Sequence, residues 1–167
     1  MTRQRRGFTL VELLVVILIL GIIAAMAIPM MSGSDDAQCE AAARAIVADL
    51  ELAQSTALAR QAQVALVFGA DGRGYKVVLS ASQDLGDYEG LVALEHPLVV
   101  GRSYVVDLVS DLQLPNVVVS GADFGGDPCV VFDGFGSPAF GGSVVVTAGD
   151  ASLTVLVEPI TGAVSVN

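Results

Sequence analysis

Arg3-Gln4-Arg5-Arg6-Gly7-Phe8-Thr9-Leu10-Val11-Glu12, followed by an apolar run from Leu13 to Met31, opens the chain and decides how the rest is read. A helix rises ~1.5 Å per residue, so about 20 apolar residues cross the hydrocarbon core of a bilayer, and this run has that length. One carboxylate, Glu12, lies at its start. A charge at membrane depth costs roughly 2.5–3.5 kcal/mol on insertion scales, which makes Glu12 a candidate functional residue. Three arginines precede the run, and the positive-inside rule then puts Met1–Gly7 on the cytoplasmic side. A secretory signal peptide fits poorly. Its apolar region is shorter, and its small-residue cleavage site follows that region, whereas Gly7 precedes it. A plain signal anchor accounts for the arginines and the length, but not for Gly7-Phe8 or Glu12.

The six residues Gly7-Phe8-Thr9-Leu10-Val11-Glu12 resemble the processing site of the type IV pilin and pseudopilin superfamily. The resemblance implies that a prepilin peptidase cuts between Gly7 and Phe8 and that the new terminal Phe8 is N-methylated. It implies that Glu12 pairs with the amino terminus of a neighbouring subunit and sets axial register. Gly21 and Pro29 fall where helices of this superfamily carry residues that loosen or kink them, and Pro29 lacks a backbone donor in any case. The implied segments are a leader at 1–7 and a transmembrane and filament-core helix at 8–31.

The sequence has 167 residues and a formal charge of −10. Three of its eight basic residues are leader arginines, so removal of residues 1–7 leaves five basic side chains against eighteen acidic ones. Such a surface disfavours the phosphate-neutralising modes of nucleic-acid binding, and no nucleic acid is expected as a partner. About 130 residues remain for a globular part, enough to bury a real core.

The periodicity changes twice beyond the apolar run. Ser32–Asp36 is polar and reads as a hinge, with Ser34 or Asp35 placed to cap a second helical segment. From 36 to 62, Ala43, Ile46, Val47, Leu50, Ala53, Ala57 and Leu58 recur at helical spacing, with Glu40, Arg44, Asp49, Glu51, Gln54 and Arg60 opposite. This predicts an amphipathic helix over 32–62 that continues the first segment. After Gln63 the period becomes two. Strands are predicted at 64–68, 75–80, 91–94, 99–108, 117–119, 129–132, 143–147, 152–158 and 163–166, punctuated by Gly and Pro turns. A helix followed by antiparallel strands makes the fold class α+β, a long amino-terminal helix packed on carboxy-terminal antiparallel sheets, with 63–167 as the β-rich domain.

A second resemblance lies at this end. Val130-Val131-Phe132-Asp133-Gly134-Phe135-Gly136-Ser137-Pro138, then Gly142-Ser143-Val144-Val145-Val146, then Ile160-Thr161-Gly162-Ala163-Val164, is similar to the GspH/FimT-type minor pseudopilins. The arginine that closes that pattern in the family is Ala163 here. The resemblance implies a pilin-like fold and a structural subunit of a type II secretion pseudopilus. Its partners would be a prepilin peptidase/N-methyltransferase, other pseudopilins or pilins in a filament, and the inner membrane, with the globular domain in the periplasm. The alternative is a minor pilin of a type IV pilus serving priming, adhesion or DNA uptake. A membrane-anchored periplasmic binding module is a third reading.

No catalytic constellation is legible, and no enzyme activity, cofactor or metal is expected. His96 is the sole histidine. Gly134-Phe135-Gly136-Ser137-Pro138 is not a nucleophile elbow, since proline follows the serine and no base is in view. Gly69–Gly74 lies between two strands, which is not the context of a phosphate cradle. Asp84, Asp87 and Glu89 offer oxygen ligands suited to Ca²⁺, but not at EF-hand spacing, and a solvated acidic loop accounts for them. Cys39 and Cys129 leave two readings open: a disulfide in an exported domain, or two buried thiols.

Overall fold

A computed structural model describes residues 9–80, 83–97 and 99–167, without the side chains of 24–33. Gly7 and Phe8, with the predicted cleavage and methylation, lie outside the described residues, as does the side chain of Pro29. The described order is one helix and eight strands: α1 (Leu10–Arg60), β1 (Val64–Phe68), β2 (Gly74–Leu79), β3 (Val105–Asp107), β4 (Val117–Asp123), β5 (Cys129–Phe132), β6 (Gly142–Ala148), β7 (Ala151–Val157) and β8 (Val164–Val166). The chain divides into two compact units, Met1–Ser34 and Asp35–Asn167.

The expected hinge at Ser32–Asp36 is helical instead, within the continuous span of α1. A helix tolerates an interior Gly such as Gly33 at a cost of about 1 kcal/mol, and neighbouring turns carry the backbone bonds onward. Asp35 does not cap a second segment. Its carboxylate accepts a hydrogen bond from Asn116 Nδ2 at 2.9 Å.

In the second unit, Cys39, Ala42, Ala43, Ile46, Leu50, Ala53 and Ala57 form the buried face of α1. Their spacing of three and four is one helical stripe, and the four alanines let strand side chains approach the helix axis closely. Leu58 was expected on this stripe but is half exposed. It stands one step, roughly 100°, round the helix from Ala57, which takes the inward position.

Two four-stranded sheets, each antiparallel throughout, meet this helix face. Their orders are β3-β2-β1-β5 and β4-β6-β7-β8. Strand alternation divides the first sheet's side chains. Val64, Leu66 and Phe68 of β1 and Val130 and Phe132 of β5 enter the main core with the helix, while Ala65, Val67 and Cys129 enter a smaller cluster. The same period settles the cysteines. Cys39 lies in the main core, its thiol donating to the Val146 carbonyl at 3.2 Å, and Cys129 belongs to the other cluster. Both are free and buried, so of the two open readings the structure has two thiols, Cys39 on α1 and Cys129 on β5, in separate clusters.

Predicted strands at 91–94 and 99–108 shrink to β3 plus isolated bridges, Val78 to Ala93 and Glu95 to Ser103. Both segments compete for one edge of β2. Val77 receives the Leu94 amide at 2.7 Å on its carbonyl and donates to the Tyr104 carbonyl at 3.0 Å. Gly101, at φ 78°, and Pro97 interrupt any longer pairing. The sheets are tied at the β1–β2 turn, where Val119 of β4 donates to the Gly72 carbonyl at 2.8 Å. A Cβ at Gly72 would stand 2.4 Å from the Val119 carbonyl oxygen, so only glycine permits this approach.

Asp49 fastens the helix to the first sheet. Its two carboxylate oxygens accept the hydroxyls of Tyr75 and Tyr104, each at 2.6 Å. Burial and then the Asp49 charge push the Tyr75 hydroxyl well above the ordinary tyrosine range. Burial and the Asp49 hydrogen bond do the same for Tyr104. Replacing Asp49 by Ala orphans two hydroxyls, each bond to a charged acceptor contributing ~1.5–3 kcal/mol. Asp49→Ala is therefore expected to lower the urea midpoint, with a loss of about 2–4 kcal/mol. The raised tyrosines also fix a pH dependence. Above about pH 10 the unfolded chain sheds tyrosine protons that the folded one keeps, so stability is flat below that pH and falls above it. Tyr75→Phe/Tyr104→Phe should show a shallower alkaline fall in a urea series, and an equal slope would refute the coupling.

Candidate functional site

Two surfaces carry the features singled out in the sequence. The first is the amino-terminal stretch of α1. Thr9 caps it: the Thr9 hydroxyl accepts the Glu12 amide at 3.2 Å, and the Thr9 carbonyl accepts the Leu13 amide at 3.3 Å. Thr9-Leu10-Val11-Glu12 thus has the spacing of a capping box, with Glu12 in the third helical position. A carboxylate in the first turn also faces the positive end of the helix dipole. The T-x-x-E spacing was available in the sequence and gives Glu12 a local role at the start of the helix.

From Leu10 to Ile23 every large apolar side chain is exposed, from 45% for Val15 and Val16 to 80% for Leu10. Glu12 is the only charged residue in that stretch, so the helix there is apolar on all sides. Such a surface belongs in lipid or against other protein. Among the described residues no helix is long and apolar enough to cross a membrane. The apolar sequence continues through 24–31, whose side chains lie outside the description. A Cβ at Gly21 would meet nothing within 4 Å.

The second surface is built where two turns seat on the carboxy-terminal part of α1. Gln54 Nε2 donates to the carbonyls of Gly136 at 2.7 Å and Thr161 at 2.9 Å. One amide thereby holds the β5–β6 turn and the β7–β8 turn together on the helix. Both turns need glycine at the point of contact. Gly136 has φ 79°, and a Cβ there would stand 3.0 Å from Leu58. Gly162 has φ 68°, and its Cβ would meet Gln54 Nε2 at 2.6 Å and Phe132 at 3.1 Å. Asp133 shapes the first turn by accepting the amides of Phe135 at 2.8 Å and Ser137 at 2.9 Å. The turn tips present Phe135, 87% exposed, and Ile160, 81% exposed at φ 76°. Gln54 and Asp49 both read as solvent-side residues in the helical pattern. Each makes two hydrogen bonds to distant segments, and a polar residue on the flank of an apolar stripe is their one sequence signal.

The remaining candidates have structural partners. Asp84 accepts the Gly86 amide at 3.0 Å and Asp87 the Gly90 amide at 3.3 Å, so both close turns of their own loop. Lys76 enters the same loop, donating to the Tyr88 carbonyl at 2.7 Å with its ammonium 4.3 Å from the ring centroid. Tyr88 is pushed up to about 12, chiefly by burial and then by the Asp71 charge. Glu89 joins no cluster: among the described residues no group of three potential ligands could hold a metal. His96 is half-buried, edge-on to Tyr104 with ring centroids 4.7 Å apart. Burial raises both thiols, that of Cys39 helped by Asp36 and opposed by a backbone bond, that of Cys129 helped by Asp127, so neither is primed as a nucleophile.

Residues 2–28 match the prokaryotic N-terminal methylation motif, and residues 42–161 match the type II transport protein GspH. The second match spans more than half of the sequence, and the chain belongs to the GspH family of pilin-like proteins. No curated protein and no solved structure matches it.

The Gln54 clamp can be tested by urea unfolding. Gln54→Ala removes both donors, and Gly162→Ala forces a side chain into the left-handed region against the clamp. Each is expected to cost about 1–3 kcal/mol in urea unfolding. The double variant should lose less than the sum of the single losses, because both changes break one contact. Strict additivity would show that Gly162 acts on its turn alone.

Proposed function

We propose that this chain is a minor pseudopilin, a structural subunit of a type II secretion pseudopilus that supports protein export across the outer membrane. The observation that carries the reading is a helix apolar on every side from Leu10 to Ile23, lying within a methylation motif and in one chain with a GspH-type domain. Prepilin peptidase removes residues 1–7 and Phe8 becomes the methylated terminus. Residues 8–31 anchor the precursor in the inner membrane, amino terminus inside, with the β-rich domain in the periplasm, and the same helix then enters the filament core. Residues 32–62 link the two environments and 63–167 form the outward domain.

Glu12 has two tasks in this scheme. Within its own chain it occupies the first turn of α1. Between chains its carboxylate meets the terminal amine of a neighbouring Phe8. That pairing offsets the cost of a buried charge and admits one axial register. Gly21 and Pro29 loosen the helix between membrane and filament.

A minor pilin of a type IV pilus is the second reading, since it would carry the same methylation motif. A DNA-uptake role is disfavoured: no Lys, Arg or His occurs after Arg102. Deleting the gene separates the readings by loss of exported protein or loss of surface pili. Gly7→Ala is expected to leave the precursor uncut on a gel in the presence of prepilin peptidase. Glu12→Leu should be cut and inserted normally, yet be at least about ten-fold depleted from sheared or cross-linked filaments. Normal incorporation of Glu12→Leu would sink the registration role.

A further inference from the structure

The second sheet ends in an open edge. β8 is its terminal strand, and among the described residues nothing pairs with its outer side. The ladder states which backbone groups face outward. Thr154 and Asn167 exchange both hydrogen bonds, at 2.8 and 2.9 Å. Antiparallel alternation then turns the polar groups of Ser165 inward to Leu156, and those of Val164 and Val166 outward. The same alternation along β7 turns the N–H and C=O of Ser152 to that side.

A groove lies beside this edge. It has a volume of about 310 Å³, lined by Asp36, Cys39 and Glu40 of α1 and by Leu153 and Val166 of the sheet. Val166 is 40% exposed. The outward groups and an apolar floor suit one more extended chain.

Charge selects the occupant. From Ser103 to Asn167 the sequence has seven acidic residues and no Lys, Arg or His. The edge is flanked by the exposed carboxylates of Asp36, Asp150 and Glu158; Glu40 is paired with Arg44. A second copy edge to edge would oppose two sheets that both lack any basic residue, which like-charge repulsion disfavours. We infer that the β7–β8 edge docks an extended segment of a partner protein in which Lys or Arg alternates with β-branched residues. Backbone bonds to Val164, Val166 and Ser152 hold it, and its basic side chains meet Asp36, Asp150 and Glu158. The inference goes beyond the assembly reading and holds for either kind of filament.

The test uses the full chain in detergent micelles and two synthetic peptides, one alternating lysine with valine and one alternating glutamate with valine. Fluorescence anisotropy at low salt is expected to show the lysine peptide binding at least about ten-fold more tightly, weakening as salt rises. Binding should slow amide exchange at Val164, Val166 and Ser152. Val166→Pro removes an outward donor and spares the bonds of Ser165 and Asn167, so affinity should fall about ten-fold with an unchanged urea midpoint. Should Val166→Pro unfold, Asp150→Lys/Glu158→Lys gives the same reading by reversing the peptide preference. Equal affinity for the two peptides, protection confined to other strands, or unaltered binding by either variant would overturn the proposal. Edge-to-edge dimers seen by sedimentation and abolished by Val166→Pro would overturn it in favour of a second copy.

Discussion

A helix must find cover for whatever apolar surface it carries, and α1 carries two kinds in one span. From Leu10 to Ile23 the side chains are apolar on all sides, and no single packed face could bury them. From Cys39 to Ala57 the apolar residues form a stripe that two sheets cover fully. The first kind needs an environment apolar in every direction. The second needs only the domain's own strands. Secondary structure is the same throughout, because backbone bonding within a helix is indifferent to what surrounds it. The division of labour in the chain follows from side chains alone.

The second half of α1 is held by polar contacts as well as by the stripe. Asp49 gathers two tyrosines and so grips the first sheet. Gln54 grips the β5–β6 and β7–β8 turns, and the Cys39 thiol reaches the β6 carbonyl of Val146. These contacts sit at successive levels of the helix and reach different strands. Apolar packing is non-directional and would permit sliding of an alanine-rich face over valines. Hydrogen bonds with fixed partners remove that freedom.

Much of this was legible in advance. The α+β order, the amphipathic stripe at Ala43, Ile46, Leu50, Ala53 and Ala57, and the strands near 64–68, 129–132 and 143–147 follow from period and turn residues. What escaped was non-local. The 91–94 and 99–108 segments have strand composition, but they share one edge of β2, and a sequence does not show competition for a partner. The Ser32–Asp36 segment is helical although its own residues are weak helix formers, and the chain still divides into its two units within it. The choice between a cysteine bridge and two thiols stayed open because strand parity is fixed only once register is known. Asp49 and Gln54 look solvated in a helical projection because their acceptors and donors lie 26 to 107 residues away.

The charge distribution adds a constraint on assembly. All five basic residues beyond the leader lie between Arg44 and Arg102, and three of them are already committed: Arg44 to Glu40, Arg102 to Asp111, and Lys76 to the Tyr88 loop. The second sheet and its turns therefore present carboxylates without any basic side chain of their own. Packing identical acidic faces together would add repulsion at every contact, whereas a different, basic partner gains at each one. Shape acts in the same direction, since an unpaired strand edge is complementary to any extended chain and sets no preference by itself. The edge supplies the bonds, and the absence of Lys and Arg after Arg102 supplies the choice of partner.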